Sequence, residues 1–115
     1  MHHAGSCHCG AIDFTVTGEV REVIDCNCSL CRRRGGLLWF APRAAFSLRS
    51  DPGAVQTYTF HSHTLRHHFC ATCGIAPYSE GTGPDGAAMV AINVRCLPQL
   101  DLASLTILPY DGAGR

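Results

Sequence analysis

Apolar and polar residues alternate with a period of two over residues 11–17, where Ile12, Phe14 and Val16 share one side and Asp13, Thr15 and Thr17 the other. That alternation predicts a strand with one face in a core. Residues 20–25 give a second, weaker strand, and Leu37-Leu38-Trp39-Phe40 opens a buried one that Pro42 interrupts before Phe46-Ser47-Leu48 resumes it. Ser50-Asp51-Pro52-Gly53 has the composition of a turn. Residues 55–60 and 64–69 predict consecutive strands joined through His61-Ser62-His63, and 75–79 another. A loop over 81–86 precedes the apolar run 87–94. Asp101 is placed to cap one helical turn, residues 106–110 form a last short strand, and 111–115 carry no pattern. Without a repeat or linker, the sequence predicts a single domain over residues 1–115, mainly β, with irregular antiparallel sheets and little helix.

Cysteine changes the picture most. Eight cysteines in 115 residues mean disulfides or metal. The chain runs from Met1 straight into its first cysteine pair, without the charged, apolar and cleavage regions of a secretory leader, and no apolar stretch is long enough to span a bilayer. The expectation is therefore a reducing cytoplasm, where clustered cysteines bind metal or react. Cys7-His8-Cys9-Gly10 and Cys70-Ala71-Thr72-Cys73-Gly74 are close pairs followed by glycine. Together Cys7, Cys9, Cys70 and Cys73 supply the four ligands of a closed structural zinc. Cys26, Cys28 and Cys31 supply three, the number that leaves a working zinc one open position. The triplet has other readings: a redox-labile thiol cluster, or a second structural zinc completed by Cys96, His61, His63, His67 or His68. Three thiolates make zinc a weak Lewis acid, better suited to holding an incoming thiol as thiolate than to making hydroxide.

The remaining candidates are plainer. Formal net charge is zero, which removes the general attraction to phosphate that drives nucleic-acid binding, so neither nucleic acid nor membrane is expected as a partner. Arg32-Arg33-Arg34 is the one basic run, a solvated turn or a seat for a small anion. Cys96 packs as a half-buried free thiol. His67 and His68, adjacent on a strand, point to opposite faces, so at most one faces a site. His2 and His3 belong to a frayed terminus. Trp39, Phe40, Phe60 and Phe69 are core residues or the walls of a pocket.

Three blocks carry a resemblance: Gly5-Ser6-Cys7-His8-Cys9-Gly10-Ala11, Cys26-Asn27-Cys28-Ser29-Leu30-Cys31-Arg32 and Phe69-Cys70-Ala71-Thr72-Cys73-Gly74. With Ile92-Asn93-Val94-Arg95-Cys96-Leu97 and Tyr110-Asp111-Gly112, they resemble the family of glutathione-dependent formaldehyde-activating enzymes and centromere protein V. The resemblance implies a zinc-bearing, mainly β fold. It implies a structural zinc on Cys7, Cys9, Cys70 and Cys73, and a displaceable catalytic zinc on Cys26, Cys28 and Cys31. The implied activity is that of a carbon–sulfur lyase, forming or cleaving S-hydroxymethylglutathione from glutathione and formaldehyde. Arg32, Arg33 or Arg34 would then hold a glutathione carboxylate, which a guanidinium matches bidentately. The competing expectations are a zinc-stabilised binding module and a redox or metal sensor.

Overall fold

The computed structural model describes residues 1–114. Its strands are β1 (His2–Ser6), β2 (Asp13–Thr17), β3 (Glu22–Cys26), β4 (Leu38–Pro42), β5 (Phe46–Leu48), β6 (Val55–Tyr58), β7 (Arg66–Cys70), β8 (Tyr78–Thr82), β9 (Ala88–Asn93) and β10 (Thr106–Tyr110). One helical turn, α1 (Cys31–Arg34), and four short 3-10 turns complete the chain. The strands form a three-stranded sheet, β1-β2-β5, and a seven-stranded sheet, β10-β3-β4-β9-β8-β7-β6. All pairings are antiparallel except β10 with β3, which run parallel with Tyr110 opposite Cys26. The fold is thus mainly β, as the alternation requires. No described helix is long and apolar enough to cross a membrane.

The core fills the space between the two sheets. From the small sheet come Phe14, Val16 and Phe46; from the large one Val23, Ala41, Tyr78, Val90 and Ile92, all buried. Full burial of such side chains contributes roughly 1.5–3 kcal/mol each. A run of aromatic rings crosses the layers: Phe14 stacks on Phe46 within the small sheet at 5.3 Å between centroids, Phe46 meets Tyr78 across the layers at 4.5 Å, and Tyr78 meets His68 within the large sheet at 4.8 Å. A polar chain runs beside them. Thr57 Oγ1 lies 2.9 Å from His68 Nδ1, and His68 Nε2 lies 2.8 Å from Glu80 Oε1. Arg43 Nε donates to Glu80 Oε2 at 2.9 Å, and Arg43 Nη1 donates to the Phe46 carbonyl. These bonds tie β6, β7 and β8 to the start of β5 in the small sheet.

The second face of the large sheet turns away from the core. Period-two alternation sends Val90 and Ile92 inward and leaves Met89, Ala91 and Asn93 on the outer face, beside Leu38, Phe40 and Ser79.

Several local expectations shift. His2 and His3 are not frayed: they pair with Thr17 and Val16 in β1, and His3 Nε2 lies 2.8 Å from the Gly18 carbonyl oxygen. Pro42 does not interrupt its strand but ends it, opposite Met89, a position where its missing N–H is tolerated. The strand expected at 75–79 sits later, at Tyr78–Thr82, taking the first residues of the expected loop. Asp101 does cap its turn, accepting from Ala103 N at 3.1 Å. Phe69 is half-buried, and Trp39 packs against the core edge.

Burial lowers the pKa of His68 against the pull of Glu80. Burial would raise Glu80, but Arg43 and His68 outweigh it and hold the carboxyl below its usual range. Both folded values are depressed, so the unfolded chain binds more protons on acidification. The stability of these groups is complete above their ordinary values, about 6.5 for histidine and about 4.3 for glutamate, and is lost as pH falls through the folded ones. The expected outcome is a denaturation midpoint that falls from pH 7 toward 4 less steeply in His68→Gln than in wild type. Parallel curves for the two chains would contradict it.

Candidate metal centres

The turn between β1 and β2 carries Cys7 and Cys9; Cys70 ends β7, and Cys73 follows in the next turn. The Cys7 and Cys9 sulfurs lie 3.7 Å apart and those of Cys9 and Cys70 3.6 Å apart, with all four within 4.8 Å of one another. A tetrahedron of sulfurs about 2.3 Å from zinc has edges of about 3.8 Å, so the donor set fits that ion. Backbone amides support thiolate sulfur here: Ile12 N donates to Cys7 at 3.3 Å, and Thr72 N and Cys73 N donate to Cys70 at 3.3 and 3.4 Å. The Cys73 thiol is drawn down to about 6, first by the Ile75 and Cys9 amides. Cys96 is buried close by, its thiol pushed up to about 11 by burial and then by Cys7 and Cys73. It joins neither cluster.

Cys26 is the last residue of β3, Cys28 lies in the following turn, and Cys31 is the first residue of α1. Their sulfurs also lie within 4.8 Å of one another, and among the described residues no histidine, cysteine or acid joins them as a fourth. Cys28 N donates to Cys26 at 3.5 Å and Cys31 N to Cys28 at 3.3 Å. Burial works against a Cys28 thiolate, but the Cys31 amide and the neighbouring thiols outweigh it and lower the value. Cys31 is pushed up to about 12 by burial and then by the sulfurs of Cys28 and Cys26. Three such sulfurs cannot all ionise side by side without a cation, and this donor set suits a thiophilic one.

One side of the triplet is closed by the C-terminal segment. Asn27 N donates to the Tyr110 carbonyl, Asn27 Nδ2 to Asp111 Oδ1 at 3.1 Å, and Ala113 N to Asn27 Oδ1 at 2.9 Å. This latch presses Gly112 onto the sulfurs: a Cβ there would stand 2.6 Å from Cys26 Sγ and 3.0 Å from Cys28 Cβ. Only glycine fits. Gly35, with φ 73°, ends α1 in the left-handed region and donates to the Cys31 carbonyl at 2.8 Å, which fixes the other edge.

The open side gives onto a cavity of about 730 Å³ on the outer face of the large sheet, lined by all three cysteines. Arg34 also lines it, and partial burial lowers its pKa. Arg33 turns back to the Ser29 carbonyl at 2.7 Å, and Arg32 is exposed outside the cavity. The three arginines are therefore not equivalent. His67 and His68 do point to opposite faces. His68 enters the core, while His67 lines the cavity with Nδ1 3.0 Å from Ser79 Oγ and its ring 5.4 Å from Phe60. Burial, then the positive charge of Arg34, lowers the His67 pKa. His61 and His63 sit in the β6–β7 loop at φ 57° and 58°, in neither sulfur cluster. Phe40 and Phe60 wall the cavity rather than fill the core. The sequence signal for Ser79 and Gly112 was faint: a serine on the outward side of a strand, and a glycine within a matched tripeptide.

The profile of the family described as glutathione-dependent formaldehyde-activating enzyme matches residues 2–104, which include both sulfur clusters, Arg34 and His67. Among solved structures, the crystal structure of a Rhodobacter sphaeroides protein is similar, with 29% sequence identity, a TM-score of 0.79, and coverage of 95% of this chain and 98% of that one. A family match over nearly the whole chain and two convergent cysteine clusters lead to one conclusion: the chain belongs to the glutathione-dependent formaldehyde-activating enzyme family.

Proposed function

We propose that this protein is a zinc-dependent carbon–sulfur lyase that forms or breaks the adduct of a small thiol, glutathione by family, with an aldehyde. The observation that carries this reading is the Cys26–Cys28–Cys31 triplet, which lacks a fourth ligand among the described residues and opens into the cavity. In this reading Cys7, Cys9, Cys70 and Cys73 hold a structural zinc, and the triplet holds a second. When bound at the triplet, zinc stabilises an anionic sulfur in its nucleophilic form.

The chain's own residues supply the rest. Arg34 holds a carboxylate of the thiol. The outer sheet face and Phe60 wall the space beside the triplet in which the reacting groups would lie. In the forward direction the thiolate sulfur adds to the carbonyl carbon; the carbon–sulfur bond forms, the carbonyl π pair moves to oxygen, and that oxygen takes a proton. In reverse, a base removes the hydroxyl proton, the carbonyl re-forms and the thiolate leaves. His67 is the group placed for that proton. Its Nδ1 is fixed by Ser79, and Nε2 makes no hydrogen bond among the described residues. Its lowered pKa keeps it neutral at pH 7, the state needed for cleavage.

Protein purified without chelator is expected to carry two zincs per chain, falling to one in Cys28→Ser and also in Gly112→Ala, whose added methyl displaces Cys26. Equal zinc content in all three chains would remove the triplet from the metal assignment. In kinetics, Arg34→Ala is expected to raise the KM for the thiol roughly tenfold to a hundredfold, the value of a charged hydrogen bond, while Arg32→Ala and Arg33→Ala leave it unchanged. Unchanged KM in all three sinks the carboxylate role. His67→Asn is expected to slow cleavage about a hundredfold and to abolish the acidic limb of its pH profile; a retained limb assigns the proton elsewhere.

A further inference from the structure

A formaldehyde adduct adds only a hydroxymethyl group to sulfur, yet the triplet opens into a cavity of about 730 Å³. The wall is apolar well beyond the reacting centre. Leu38, Phe40, Met89 and Ala91 form the floor, and Phe60 and Leu65 rise on the side of the β6–β7 loop. Phe40 is 51% exposed and Leu65 50%, large apolar surfaces left facing water that a bound apolar group would cover.

Charge is scarce on the same surface. Among the described residues that line it, Arg34 is the one guanidinium, and the Glu80 carboxylate is taken up on the core side by Arg43 and His68. The cavity can therefore anchor one acid group beside the triplet, with the remaining contact area apolar. The hydroxymethyl group of a formaldehyde adduct is too small and too polar to cover that area itself, and the charged body of the thiol is a poor match for it.

We propose that the preferred substrate is a hemithioacetal of a hydrophobic aldehyde. Its sulfur lies at the Cys26–Cys28–Cys31 end, and its hydrocarbon chain lies across Leu38, Phe40, Met89 and Ala91. This rests on the carbon–sulfur reading above and narrows it to a substrate class. The bonds made and broken are those already described, with an alkyl group in place of one aldehyde hydrogen.

Titration calorimetry of the zinc-loaded protein with S-methyl-, S-propyl- and S-hexylglutathione reads chain preference without any turnover. Affinity is expected to rise by up to about fourfold per methylene, the transfer value of a buried CH₂, and the rise is expected to flatten in Phe40→Ser. Affinity that is flat, falling or undetectable across the series overturns the inference. Turnover of glutathione with hexanal and with formaldehyde tests the underlying reaction separately. A rising series with no turnover of either aldehyde supports the ligand class and removes the lyase reading. Turnover with a flat series keeps the lyase and removes the chain preference.

Discussion

Convergence of Cys7, Cys9, Cys70 and Cys73 is the constraint on which the rest of the structure depends. The first pair hangs from the small sheet and the second from the end of β7 in the large one, so the site joins layers that are more than 60 residues apart in sequence. A metal held by such a set is worth roughly 10–16 kcal/mol in folding, as much as the whole net stability of a typical domain at about 5–15 kcal/mol. The aromatic contacts and the Thr57–His68–Glu80–Arg43 chain also link the layers, but each is a smaller term. They fix the register of a packing that a metal on the four sulfurs would draw together.

With the core confined between the sheets, the outer face of the large sheet is left to wall the cavity. Cys26 ends β3, and the parallel partner β10 delivers Tyr110 beside it and Gly112 over it. The same strand pairing that builds the sheet edge thus closes one side of the triplet. On the other side the three cysteines line the cavity, and among the described residues no fourth ligand stands between them and it. Adjacent residues on β7 serve the two faces: His68 is bound into the core network, and His67 looks into the cavity.

Local rules made much of this legible. The alternation of Ile12, Phe14 and Val16, the Asp101 cap and the cysteine spacings each depend on residues a few positions apart. What stayed hidden depends on distant partners. The parallel pairing of residues 106–110 with residues 22–26 leaves no local trace, and His2 joins a strand only because Thr17 lies opposite. Arg32, Arg33 and Arg34 differ solely by their angle around a single helical turn, which spacing from the cysteines does not set. Glu80 falls between the strand expected at 75–79 and the loop expected at 81–86, and its partners Arg43 and His68 are 37 and 12 positions away.

Cobalt substitution tests the central claim, an open thiol-binding position at the triplet, most directly. With cobalt in place of zinc, thiolate-to-metal charge-transfer absorption reports the number of sulfurs bound. Adding glutathione is expected to increase that absorption by about one thiolate per chain in wild type, and to leave it unchanged in Cys28→Ser. An unchanged spectrum in the wild-type protein, with cobalt present at both centres, would mean that the triplet does not receive a thiol, and the account would fail at its centre.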